Sequence, residues 1–105
     1  MFPAARGDAF GMDMDVFRAV VTGRVQGVNF RHESAMRARA LGINGYVKNL
    51  WSGDVEVVAQ GNRSQLERYL DFLRTGPPAA QVTKVDVRWG HGTEEGPFET
   101  FEIRW

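Results

Sequence analysis

Cysteine is absent from the 105 residues of this chain. Disulfides, thiolate metal centres and cysteine nucleophiles are all excluded by that one fact. Neither sign of charge is in excess, since 13 Lys and Arg face 13 Asp and Glu for a formal net charge of zero. General nucleic-acid and membrane-surface binders carry a broad surplus of one sign, so no nucleic-acid or membrane partner is expected. No apolar run approaches the roughly 18 residues that suggest a membrane span. The opening Met1-Phe2-Pro3-Ala4-Ala5-Arg6-Gly7-Asp8 has no apolar core of the kind found in secretory signals. The default is a soluble, cytoplasmic protein.

What is present fits one compact domain, with 43% of residues hydrophobic. Residues 1–14 mix Gly, Pro, Ala and Asp without a period and read as a flexible leader, leaving residues 15–105 as the domain. Val16–Thr22 is rich in β-branched residues and predicts a strand. From His32 to Leu41, Ala35, Ala38 and Leu41 recur at helical spacing and Gly42 stops the helix. Small residues on that stripe let a helix lie close to a sheet. Tyr46–Leu50 and Val55–Ala59 predict a hairpin around the turn Trp51-Ser52-Gly53-Asp54. Asn62 and Gln65 form a capping box for a second helix, whose core stripe is Leu66, Tyr69, Leu70 and Leu73. Gly76-Pro77-Pro78 ends it. Val85, Val87 and Trp89 alternate with charged residues as a half-wet strand, and Phe101, Ile103 and Trp105 alternate in a last one. The order βαββαβ plus a terminal strand predicts an α/β (α+β) ferredoxin-like sandwich, with two helices on one face of a mainly antiparallel sheet.

Chemistry concentrates in Gly23-Arg24-Val25-Gln26-Gly27-Val28-Asn29-Phe30-Arg31. A loop running from a strand into a helix N-terminus aims several backbone N–H groups at one point, which suits an oxyanion such as phosphate. Arg31 adds a guanidinium that reaches two phosphate oxygens at once. No Gly-Lys-Ser/Thr follows, so this is not a nucleotide P-loop, and the two glycines do not make a dinucleotide fingerprint. A phosphatase loop of the Cys-x5-Arg type needs cysteine at Val25. The loop therefore has no covalent nucleophile, and any hydrolysis falls to water. Asn49 is a candidate to position that water, because a carboxamide accepts and donates at the same time.

Gly23–Arg31, then Leu41-Gly42-Ile43-Asn44-Gly45-Tyr46-Val47-Lys48-Asn49, then Gly53, Val55 and Gln60-Gly61, closely resemble the acylphosphatases. The resemblance spans residues 16–105 and two motifs in the right order. It implies a ferredoxin-like fold and hydrolysis of carboxyl-phosphate anhydrides with no metal or organic cofactor. It further implies that Arg31 binds the phosphate together with backbone N–H groups of Val25, Gln26, Gly27, Val28, Asn29 and Phe30. Asn49 would orient the attacking water. The expected ligands are a small-molecule acyl phosphate and its phosphate product, which like other oxyanions can inhibit, on a monomeric enzyme. Three positions depart from the family pattern. Tyr46 stands where tryptophan is frequent, and Trp51-Ser52 replaces a polar pair, so Trp51 can alter the substrate entrance.

Plainer readings stand beside these. Arg31 alone reads as a surface arginine in a salt bridge, and Asn49 alone as a strand residue with a local hydrogen bond. His32 is expected to face solvent, His91 to be solvated, and Arg37 and Arg39 to form a wet helix face. Trp51, Trp89 and Trp105 read as packing residues, with Trp51 the only one near the candidate site. An RNA-recognition domain shares the element order but needs aromatics on its third strand. Asp54-Val55-Glu56-Val57-Val58-Ala59 has none. A non-catalytic phosphate or carbamoyl-phosphate module of a larger transfer enzyme is the remaining rival.

Overall fold

The computed structural model describes residues 14–92 and 94–105. All but the last residue of the expected leader therefore lies outside the described residues. Five strands and two helices follow in the order β1 (Asp15–Arg24), α1 (Phe30–Ala40), β2 (Asn44–Asn49), β3 (Val55–Gly61), α2 (Arg63–Thr75), β4 (Gln81–Trp89) and β5 (Phe101–Arg104). They build one sheet of order β4-β1-β3-β2-β5. Three neighbouring pairs are antiparallel, and β2 and β5 run parallel. The expected ferredoxin-like architecture is the observed one.

Strand alternation decides which face is core. Phe17, Ala19 and Val21 of β1 are fully buried, and they pair with Ala59, Val57 and Val55 of β3 on the same face. Both helices cover that face. The α2 stripe of Leu66, Tyr69, Leu70 and Leu73 is buried, as its spacing predicts. The capping box is also present, with Asn62 accepting from the Gln65 N–H and Gln65 accepting from the Asn62 N–H. Helix α1 is held close by small residues, since Ser34, Ala35 and Ala38 are its buried contacts along with Phe30. Tyr69 and Ser34 meet in this layer with their hydroxyl oxygens buried and outside hydrogen-bond geometry. Burial pushes the Tyr69 hydroxyl pKa up, and the neighbouring Ser34 opposes this only in part.

The opposite face of the sheet is polar and organised around Glu56. Its carboxylate accepts from Arg18 Nε at 2.6 Å and from the Tyr46 hydroxyl at 3.1 Å. Desolvation, reinforced by the Glu56 charge, pushes the Tyr46 pKa to about 12. The Arg104 guanidinium lies 4.0 Å over the Tyr46 ring and bonds Glu95 at 2.9 Å. That pairing lowers the Glu95 pKa and raises that of Arg104. Strand β5 is thereby fastened on its outer side, which matters because its inner side reaches the candidate site.

Candidate active site

The loop between β1 and α1 is anchored in the core at both ends. Val25 and Phe30 are each 1% exposed, while Gly27 and Asn29 between them are exposed. Gly23 opens the segment at a bulge-like register shift between Thr22 and Gly23, beyond which β1 stays paired with β4 through Arg24. A Cβ on Gly23 would lie 2.0 Å from the Gln81 carbonyl oxygen, so only glycine fits there. Gly27 turns the loop with φ of 75°. The last loop residue, Asn29, takes φ of 66° and ψ of 21° and makes no side-chain cap bond.

That left-handed residue starts the helix two positions earlier than the apolar spacing predicts. Phe30, expected as loop, is the first residue of α1, and Arg31 lies in its first turn. The first helical bond runs from the Glu33 N–H to the Asn29 carbonyl. The N–H groups of Phe30, Arg31 and His32 precede it and have no helical acceptor. With no capping side chain over them, they present donors and the positive dipole end to a bound anion.

A concavity of about 300 Å³ sits at this helix end. Val25, Gly27, Asn29, Phe30, Arg31 and His32 line one side of it, and Asn49, Ile103 and Trp105 the other. Two residues of the expected cradle, Gln26 and Val28, do not line it. Val28 packs against the core. The Gln26 side-chain amide donates to the carbonyls of Leu50 and Asp54 at 2.8 and 2.9 Å, clasping the loop to the β2–β3 turn. This clasp fixes the loop against the end of β2, where Asn49 stands. Loop and strand, distant in sequence, become one wall.

Arg31 is held by groups that composition and spacing do not reveal. Its Nη1 donates to the Arg104 carbonyl at 2.8 Å, and its guanidinium lies 4.2 Å from the centre of the Trp105 ring. Among the described residues no carboxylate pairs with it. The guanidinium has five N–H donors, and this bond occupies one of them. Asn49 is distinguished by a buried Oδ1 with no hydrogen-bond partner. Orphaned acceptors of this kind are expensive to bury and are rare in native folds. His32 is exposed, as expected, but also stands on the concavity's edge.

Three sequence expectations change here. Trp51 and Trp105 are no packing residues: Trp51 is fully exposed, and Trp105 is 87% exposed and lines the concavity, so Trp51 is not the only tryptophan nearby. The signal for Trp105 was absent because only the parallel pairing of β5 with β2 brings it there. Arg37 and Arg39 are exposed but not merely wet, since Arg37 lies over Phe72 and Arg39 donates to the Phe101 carbonyl. No group of three or more His, Cys, Asp or Glu that could hold a metal occurs among the described residues. None of their helices is long and apolar enough to cross a membrane.

Comparison with known proteins gives a consistent result. The acylphosphatase family profile matches residues 17–103. An acylphosphatase from Dehalococcoides mccartyi is 48% identical over 92 residues, covering 87% of this chain and 99% of that protein. One from Acaryochloris marina is 44% identical over 88 residues, covering 82% of this chain and 89% of the relative. The solved acylphosphatase of Coxiella burnetii superposes with a TM-score of 0.81 at 35% identity, covering 88% and 94% of the two chains. The chain belongs to the acylphosphatase family, whose members hydrolyse acyl phosphates.

Proposed function

We propose that hydrolysis proceeds by direct attack of water on phosphorus, at the concavity between the β1–α1 loop and Asn49. Arg31 and the backbone N–H groups around residues 25–32 hold the phosphoryl oxygens. Asn49 orients the water. The water oxygen bonds to phosphorus, the bond from phosphorus to the acyl oxygen breaks, and its electron pair leaves on the carboxylate. The water's proton passes to a phosphate oxygen, since a carboxamide is not a base. Carboxylate is a good leaving group, so no strong general acid is needed. Charge on the equatorial oxygens meets fixed dipoles and one guanidinium, which suits a phosphoryl transition state that asks mainly for positioning and charge stabilisation.

The observation that carries this reading is the placement of Arg31 and Asn49 on the walls of one concavity at an uncapped helix N-terminus. A carboxamide there can accept from and donate to a water held beside the phosphoryl group. A monomer in the cytoplasm, acting on a small-molecule acyl phosphate and inhibited by its phosphate product, completes the proposal. Purified protein should release phosphate from benzoyl phosphate with EDTA present and no metal added. Activity that vanishes on chelation and returns with a divalent cation would overturn the metal-free reading.

A further inference from the structure

The loop that leads into α1 and the strand that carries Asn49 are not neighbours in the sheet. Strand β3 lies between β1 and β2, so no ladder of backbone bonds joins the end of one to the end of the other. The Gln26 side chain crosses that gap. Its Nε2 has two hydrogens, and they go to the Leu50 carbonyl at 2.8 Å and the Asp54 carbonyl at 2.9 Å. The turn it meets is already closed without it. The Gly53 N–H donates to the Leu50 carbonyl at 3.1 Å, and the Leu50 N–H to the Asp54 carbonyl at 2.9 Å. Gln26 fills the second lone pair of each acceptor, so removing it leaves neither carbonyl without a partner. What it adds is a link between two segments. Both ends of the link adjoin the concavity: Val25 and Gly27, on either side of Gln26, line it, and so does Asn49, next to Leu50.

We propose that Gln26 is a positioning residue, which sets the separation between the phosphate-holding loop and the water-orienting Asn49. The proposal rests on the hydrolytic reading of the concavity. Direct attack needs the water oxygen about 3–3.5 Å from phosphorus and in line with the leaving oxygen. The loop holds phosphorus and Asn49 holds the water, so that distance is one between the β1–α1 loop and β2. Asn49 is the last residue of β2, one past its final pairing with β5. The turn beyond it projects into solvent, with Trp51, Ser52 and Gly53 exposed, so packing does little to fix it. The Gln26 side chain does not line the concavity and acts through the segments it joins. When it is lost, Val25 and Phe30 stay anchored in the core and Arg31 stays on the Arg104 carbonyl, so the anion site persists. What loosens is the placement of the turn, and with it Asn49, against that site.

Gln26→Leu keeps most of the bulk and removes both donors. With benzoyl phosphate its kcat should fall about ten- to a hundred-fold, while KM and the inhibition constant of inorganic phosphate stay within about two-fold. The same substitution in an Asn49→Ala background should lower kcat by less than about two-fold, because no placed water is left to misplace. A purely structural role would lower kcat equally in both backgrounds. Gln26→Met repeats the test with a second apolar side chain, and circular dichroism with a melting curve checks the fold of each variant. Unchanged kcat in either folded variant, phosphate affinity lost in step with kcat, or an equal loss in the Asn49→Ala background overturns the proposal. So does failure of both variants to fold, which would make the link a requirement of the fold. If Asn49→Ala keeps full turnover, the water-orienting role falls and the proposal with it. If Asn49→Ala loses turnover and Gln26→Leu does not, the proposal falls alone.

Discussion

Arg31 and Asn49 have separable duties under this account, and substitution should separate them. Arg31→Ala removes the only guanidinium that lines the concavity among the described residues. Turnover and inorganic-phosphate affinity should fall together, with kcat/KM down by roughly 10²–10³-fold or more. Asn49→Ala should lose a comparable share of kcat yet still bind phosphate as a competitive inhibitor. It should not melt earlier, because the lost oxygen is buried without a partner. Phosphate affinity falling in step with turnover would refute the water-positioning role. Both residues were legible because two short motifs carry them. Arg104 and Trp105 were not: a backbone carbonyl leaves no mark in a side-chain pattern, and alternation assigns Trp105 only to a strand.

The β1–α1 connection shows where local rules succeed and stop. Gly23 and Gly27 announce unusual backbone, and Gly23→Ala should cost about 3 kcal/mol because its Cβ meets the Gln81 carbonyl. Chemical denaturation would measure it. Asn62→Ala removes one half of a formed capping box and should cost about 1 kcal/mol, read as a lower midpoint at unchanged slope. This second helix was legible down to its cap, because cap and stripe are local. The start of α1 was not. Asn29 begins it through a left-handed backbone and without the side-chain bond that marks an ordinary N-cap, so apolar spacing points to a later residue. The missing cap bond is also what leaves the first-turn donors free for an anion.

Element order predicts the sandwich, yet it says nothing of β5 lying parallel to β2, the long-range pairing that delivers Arg104 and Trp105 to Arg31. Such pairings leave no local periodicity to read. The whole fold should also respond to alkali in one direction. Tyr46 is held at about 12, and Tyr69 is likewise raised by burial. An unfolded tyrosine loses its proton near pH 10, so above that value the unfolded chain ionises first and stability falls as pH rises toward 12. Below pH 10 this contribution is intact. Tyr69→Phe removes a buried hydroxyl without a partner, so it should be neutral or stabilising by up to about 1 kcal/mol at pH 7 and should flatten the alkaline loss. Melting curves from pH 7 to 12 would test both arms. The central claim, attack on phosphorus by a positioned water, is tested most directly by a turnover of benzoyl phosphate in ¹⁸O-enriched water, with both products analysed by mass spectrometry. The account predicts the label in inorganic phosphate and none in benzoate; label in the benzoate would place the attack at the acyl carbon and contradict it.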